Sequence, residues 1–209
     1  MHASSDVAFT PTVKTIQAQR GSRDHYARME ANGGWRTTIT DELAAFLQQA
    51  DSFYFGTASA DAQPYIQHRG GPPGFLRVLD GKTLGFADFR GNRQYITTGN
   101  LKDNPQAFIF VMDYAARRRV KIWGRAKTVE TDADLLADLF PNGYRAKAEQ
   151  AIVFEVEAWD VNCPQHIPRK FSADELAEQV AHYQGRIAAL ESKLAEFSEA
   201  DPTPQRRSS

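Results

Sequence analysis

Gln67-His68-Arg69-Gly70-Gly71, Asp88-Phe89-Arg90-Gly91-Asn92-Arg93 and Arg117-Arg118-Arg119-Val120-Lys121-Ile122-Trp123 punctuate the stretch from Tyr65 to Trp123. Each block puts cationic or amide side chains at the end of an apolar strand or at the start of a helix. That is the chemistry of an anion site, and a phosphate on a planar cofactor suits it best.

Around these blocks the apolar residues recur every second position. The period predicts strands over residues 53–58, 65–69, 75–79, 82–87, 107–112, 119–129 and 151–158. Asp80-Gly81 between two apolar runs signals a tight hairpin whose central residues take positive φ. Residues 92–102 read as a helix stopped by Asp103-Asn104-Pro105, and residues 132–139 as a second one. Most connections are too short for the crossovers of a parallel sheet. The chain is therefore mainly β with flanking helices, a closed or half-open antiparallel barrel.

Outside the barrel the pattern changes. Residues before Pro11 read as disordered, and residues 12–30 as one or two weak helices ended by Asn32-Gly33-Gly34. Thr40 caps a helix whose face is Leu43, Phe46 and Leu47. Ser172 and Glu175 form a capping box, after which Leu176, Val180, Tyr183, Ile187, Leu190, Leu194 and Phe197 recur at spacings of four and three. Such a seam packs either on its own barrel or against a second copy. The expected organisation is an arm (1–39), a barrel (40–170), a helix (171–198) and a disordered tail (199–209).

Of 209 residues, 42% are hydrophobic and 11% aromatic, enough for a core. The formal net charge is -1, so no global field favours nucleic acid or membrane, and anion recognition must be local. The one cysteine, Cys163, excludes an intrachain disulfide. No apolar run approaches the roughly 20 residues of a membrane span. Residues 1–20 lack the apolar core of a secretory signal, and the expected location is cytoplasmic.

Each candidate has a plainer reading beside the functional one. Arg69 with Gly70 and Gly71 is either a ligand cradle or a rigid turn. Asn92 and Arg93 form either an anion site at a helix start or an ordinary cap beside a solvated arginine. The arginine triplet is either a solvated hairpin or part of a face on which Arg119, Lys121 and Trp123 alternate with Val120 and Ile122. Cys163 and His166 have metal-like spacing without a second ligand pair, so no metal site is expected. No serine-histidine-aspartate arrangement supports acyl transfer.

Taken in order, these blocks resemble the flavin-binding split barrel of the pyridoxamine 5′-phosphate oxidase-related proteins. The order includes Asn100-Leu101, Asn104-Pro105 and Gly124-Arg125. It runs on through Trp159-Asp160-Val161-Asn162-Cys163-Pro164-Gln165-His166-Ile167, which resembles a bacterial subgroup of that family. The resemblance covers residues 40–170. It implies a six- to seven-stranded antiparallel barrel of Greek-key type, a homodimer, and flavin mononucleotide (FMN) as cofactor. The residues it points to are His68, Arg69, Gly70, Asp88, Asn92, Arg93, Arg119, Lys121, Trp123, Gln165 and His166. Among them, Arg69 would lie near the ring and ribityl chain, Asn92 and Arg93 at the phosphate, and Arg119 and Lys121 would reach the flavin of the other subunit. The implied activity is flavin-mediated redox on a small molecule or electron donor. Alternatives are a non-catalytic flavin carrier or sensor, and a haem-binding barrel with His68 or His166 as axial ligand. The tryptophan-glycine…arginine-leucine-histidine motif of enzymes that make pyridoxal phosphate is replaced here by Cys163 to Arg169, which argues against that reaction.

Overall fold

Alternating burial writes the sheet directly. In β1 (Ser52–Ala58) Phe53, Phe55 and Thr57 are buried, and in β6 (Arg118–Val129) Val120, Ile122, Gly124 and Ala126 are. The other strands are β2 (Pro64–Gly70), β3 (Arg77–Val78), β4 (Thr83–Phe89), β5 (Gln106–Asp113) and β7 (Ala148–Asn162). They form one seven-stranded sheet in the order β2-β1-β5-β6-β7-β4-β3, with every pair antiparallel. The structure is a computed structural model and describes residues 3–162 and 164–200. They fall into two units, one ending at Ile167 and one starting at Pro168.

The sheet is curled. β1 and β4 are separated by three strands, which in a flat sheet would set them roughly 19 Å apart. Yet Phe53 and Phe55 of β1 meet Phe86 of β4 edge-on, with centroids 5.1 and 5.6 Å apart. Phe154 of β7 joins them 6.4 Å from Phe55. β2 and β3 are the free edges, so the barrel is split rather than closed. At the β6–β7 bulge after Trp123, Gly124 is obligatory, since a Cβ there would lie 2.0 Å from the Glu155 carbonyl oxygen.

The helices are α1 (Pro11–Gln19), α2 (Arg23–Ala31), α3 (Asp41–Gln49), α4 (Ile96–Asp103), α5 (Ala133–Leu139) and α6 (Ala173–Ala200). Thr40 caps α3 by accepting from the Leu43 N–H at 3.3 Å, and Leu43, Phe46 and Leu47 are its buried face. Asp132 caps α5, whose Leu139 seals a smaller cluster with Ala87 and Ala151. In α6 the capping box forms: the Ser172 N–H donates to Glu175 Oε2 at 2.6 Å and the Glu175 N–H to Ser172 Oγ at 3.1 Å. Among the described residues no helix is long and apolar enough to cross a membrane. Of the expected tail, 199–209, residues 199 and 200 continue α6 instead, and residues 201–209 lie outside the described residues, as does Cys163.

Three expectations need correction. Residues 3–10 are structured: Ser4–Val7 form a 3₁₀ turn, Ser5 is buried, and Ser4 Oγ donates to the Trp35 carbonyl at 2.6 Å. Lys14, paired with Asp6 at 2.6 Å and Glu30 at 3.2 Å, ties the turn to α1 and α2. Pairs so far apart in sequence leave no periodic trace. Residues 75–79 are mostly not strand. Phe75 and Leu76 plug the core, and only Arg77–Val78 pairs with β4. The Asp80-Gly81 turn has no positive φ at either residue. Its Asp80 carboxylate accepts the Lys82 N–H at 2.7 Å, which closes a wider turn.

Candidate functional site

β2 sends Tyr65, Gln67 and Arg69 to one side, because alternate residues of a strand share a face. Together with the end of β4, the 90–95 loop and the first turn of α4, these three line a small polar pocket. Asp88, Asn92, Arg93, Thr97, Thr98 and Glu149 also contribute, and its volume is about 40 Å³.

At its base lies a buried polar network. A guanidinium NH2 group of Arg69 donates to Asp88 Oδ1, a bond that joins β2 to β4 across the open seam of the barrel. Gln150 of β7 donates through Nε2 to Asp88 Oδ2 at 2.8 Å and to Thr98 Oγ1 at 2.9 Å. Thr97 Oγ1 donates to Gln67 Oε1 at 3.0 Å, and Asn100 Nδ2 to Thr57 Oγ1 at 3.0 Å. Five elements, β1, β2, β4, β7 and α4, are thus tied together by side-chain hydrogen bonds, and between β2 and β4 and between α4 and the strands these bonds stand in for a backbone ladder. One donor is left over: the buried Arg69 Nε has no acceptor among the described residues.

The loop above is strained. Arg93 and Tyr95 both adopt positive φ, 62° and 55°, which non-glycine residues do at a cost. The helix begins at Ile96 rather than at Asn92, with Tyr95 in the N-cap position and no side-chain cap. The expected anion site at the first turn of a helix starting at Asn92 is therefore corrected. Asn92 makes a local turn, its Oδ1 accepting the Gln94 N–H at 3.3 Å. Arg93 Nε donates to the Tyr95 hydroxyl at 3.0 Å, and that hydroxyl donates to Glu149 Oε1 at 3.4 Å. The hydrogen bond to Tyr95, and then the Glu149 carboxylate, hold the Arg93 guanidinium above its ordinary pKa. Arg69 and Arg93 face Asp88 and Glu149, so the charges of this lining nearly cancel.

Of the residues singled out by sequence, Arg69, Asp88, Asn92 and Arg93 converge here and the others do not. His68 points the other way, edge-on to Tyr54 at 5.7 Å, and Gly70 is beside its imidazole. Two adjacent strand residues cannot share a face, and that correction was available from the alternation itself. The arginine triplet splits three ways. Arg117 donates to the Ile167 and Pro164 carbonyls at 3.1 and 3.2 Å, which clamps the turn carrying Gln165 and His166. Arg118 lies over the Phe46 ring at 4.3 Å. Arg119 is half-buried opposite Asn162 on β7. Gln165 and His166 are exposed and line neither the pocket nor the cleft described next.

Lys121 and Trp123 line a separate aromatic cleft of about 800 Å³ with Phe9, Tyr26, Trp35 and Trp159. Trp35 stacks on Trp123 at 4.6 Å, and Phe9 and Tyr26 extend the cluster. Lys121 Nζ lies 5.5 and 5.2 Å from the two indoles and pairs with Asp160 at 3.1 Å. The Lys121 charge is thus met within the chain, by Asp160 and by the indoles of Trp35 and Trp123. Sequence reasoning missed Gln67, Tyr95, Thr97, Thr98, Glu149 and Gln150. Gln67 was recoverable from its phase with Arg69, but Glu149 and Gln150 come from a distant strand.

The sequence model described as pyridoxamine 5′-phosphate oxidase matches residues 39–163. Among solved structures, HupZ of Group A Streptococcus is 18% identical, covering 64% of this chain and 99% of its own, with a TM-score of 0.50. A Clostridium acetobutylicum protein related to general stress protein 26 of B. subtilis, of the pyridoxinephosphate oxidase family, is 17% identical over 64% of this chain and 94% of its own, with a TM-score of 0.46. An FMN-binding protein from Syntrophomonas wolfei is 11% identical over 70% of this chain and 97% of its own, also at 0.46. At 18% identity the likeness to HupZ speaks to the fold alone, and no curated protein matches in sequence. The family match spans more than half of the chain and contains every strand of the split barrel, so the chain belongs to the pyridoxamine 5′-phosphate oxidase family.

Proposed function

We propose that the chain binds FMN as a homodimer and performs flavin-mediated redox on a small molecule. The observation that carries this reading is the buried Arg69 Nε–H without an acceptor, in a polar pocket that also holds Arg93. An unmet buried donor costs about 1–3 kcal/mol, which an anionic oxygen would recover. The pocket offers about 40 Å³ against the roughly 10–15 Å³ of such space that one water needs, so a group of several heavy atoms such as a phosphate fits. It does not enclose a three-ring system, so in this reading the ring lies outside it and a second copy covers the ring.

The residues present fit that division of labour. Arg69 and Arg93 would take phosphate oxygens, and Thr98, whose Oγ1 only accepts from Gln150, would add a hydroxyl. Asp88 and Gln150 orient Arg69, while Tyr95 and Glu149 orient Arg93. Bound flavin would supply the electron or hydride transfer. The haem alternative named His68 or His166 as axial ligand, and neither lines the pocket or the cleft.

Mass spectrometry of ligand released from purified protein tests the reading, with FMN expected near one per chain. Arg93→Ala should weaken FMN by roughly 2–3 kcal/mol, about 30- to 150-fold, as for a lost charged hydrogen bond. Arg93→Lys should recover only part, because the fork is lost. A colourless protein that does not quench added FMN would overturn the reading.

A further inference from the structure

The seven seam residues of α6 are all exposed, from 48% at Leu176 to 75% at Phe197. Their spacing sets Leu176, Tyr183, Leu190 and Phe197 at d positions and Val180, Ile187 and Leu194 at a positions of a heptad. In a parallel coil, β-branched residues at a with leucine at d favour two strands, and Val180, Ile187, Leu176 and Leu190 fit that pattern.

The flanking charges set the direction. The g positions are Gln179, Arg186 and Lys193, and the e positions include Gln184 and Glu191. A parallel pair sets each g against the e five residues further along its partner. Arg186 then meets Glu191 twice, once on each side, and Gln179 meets Gln184. An antiparallel pair sets g against g, which brings Arg186 and Lys193 against like charge. Gly185 falls at an f position, facing away from the seam, where a missing side chain removes no contact.

We propose that α6 pairs with α6 of a second copy as a parallel, in-register two-stranded coiled coil. This inference is independent of the flavin reading and concerns an element lying beyond the family match.

The test uses the full chain with Cys163→Ser, so that each added cysteine is the only one. Leu190→Cys places a thiol in the seam facing its counterpart, and Ser192→Cys places one on the outside. Under mild oxidation the first should form covalent dimer at least roughly tenfold faster than the second, because pairing raises the local thiol concentration only in the seam. A common slow rate for both would overturn the proposal, whatever holds the barrels together. Charge reversal fixes the direction. Arg186→Glu should lower the midpoint of helix melting, followed by circular dichroism at several protein concentrations, and Arg186→Glu with Glu191→Arg should restore it. A higher midpoint in the single variant would mean an antiparallel pair and refute the stated geometry.

Discussion

Removing the Asp88 carboxylate should expose how the pocket is held. Arg69 and Asp88 side chains are only 11% and 13% exposed, so this is not a surface ion pair worth a few tenths of a kcal/mol. Asp88→Ala deletes the acceptor for Arg69 and one of the two acceptors of Gln150. It also leaves a guanidinium whose Nε already lacks a partner. A charged hydrogen bond of about 1.5–3 kcal/mol, a neutral one near 1 kcal/mol and an uncompensated buried cation together suggest a loss of roughly 3–5 kcal/mol. For a chain of this length that corresponds to a fall of about 6–20 °C in Tm.

The assay is thermal unfolding followed by near-ultraviolet circular dichroism, with and without inorganic phosphate. Phosphate should raise the Tm of Asp88→Ala more than that of the unaltered protein, because Arg69 then lacks its internal counter-charge. Asp88→Asn should cost only about 1–2 kcal/mol, since the amide oxygen still accepts from Arg69. Replacing both partners by apolar residues, Arg69→Met with Asp88→Leu, should cost less than Asp88→Ala alone. A loss below about 1 kcal/mol in Asp88→Ala would show the pair to be as weak as a solvated one and refute the reasoning.

Gly124→Ala should destabilise by roughly 3 kcal/mol or more in urea unfolding, because its Cβ would lie 2.0 Å from the Glu155 oxygen and 2.6 Å from the Phe154 ring. Gly99→Ala in α4 has open space around the new methyl and should instead stabilise by about 0.5–1 kcal/mol, a contrast that checks the glycine reading in one experiment. Burial alone would raise the Glu30 carboxyl, but hydrogen bonds from Arg23 and Lys14 outweigh it and hold the group below its ordinary 4.5. The stabilisation from a depressed carboxyl is present above that value and fades as pH falls through the folded-state value. Limited proteolysis of the arm should therefore accelerate on acidification below pH 4.5, and Glu30→Gln should already show that susceptibility at pH 7.

Where a segment is wide and regular, its residues announce it. The strands from Ser52 to Asn162, the Thr40 cap and the Ser172–Glu175 box all follow local rules of period and capping, which need no knowledge of distant neighbours. Residues 3–10, the plug of Phe75 and Leu76, and the late start of α4 obey no such rule. Each is decided by a partner far along the chain: Glu30 and Trp35 for the arm, Phe53 stacked on Phe75 at 5.4 Å for the plug, and Glu149 for the Tyr95 loop. The candidate site divides in the same way. Its cations were visible, but its carboxylate Glu149 and its amide Gln150 reach it only because β7 pairs with β4.

Charge alone is a poor guide to a binding site in this chain. Arg117 is consumed by two carbonyls and Lys121 by Asp160 with two indoles, although the run that contains them is the most basic in the sequence. What sets a residue apart is donor capacity that the fold does not use. Among the described buried side chains two arginines retain it, Arg69 and Arg118, both at Nε. Arg118 lies with its guanidinium 4.3 Å from the Phe46 ring, where the aromatic face meets part of its charge. Arg69 lies instead at a polar pocket beside Thr97, Thr98 and Arg93, on a side chain fixed by Asp88. A donor that is buried, oriented and unanswered is the condition under which a ligand's anionic oxygen gains most, since its hydrogen bond replaces no bond to water.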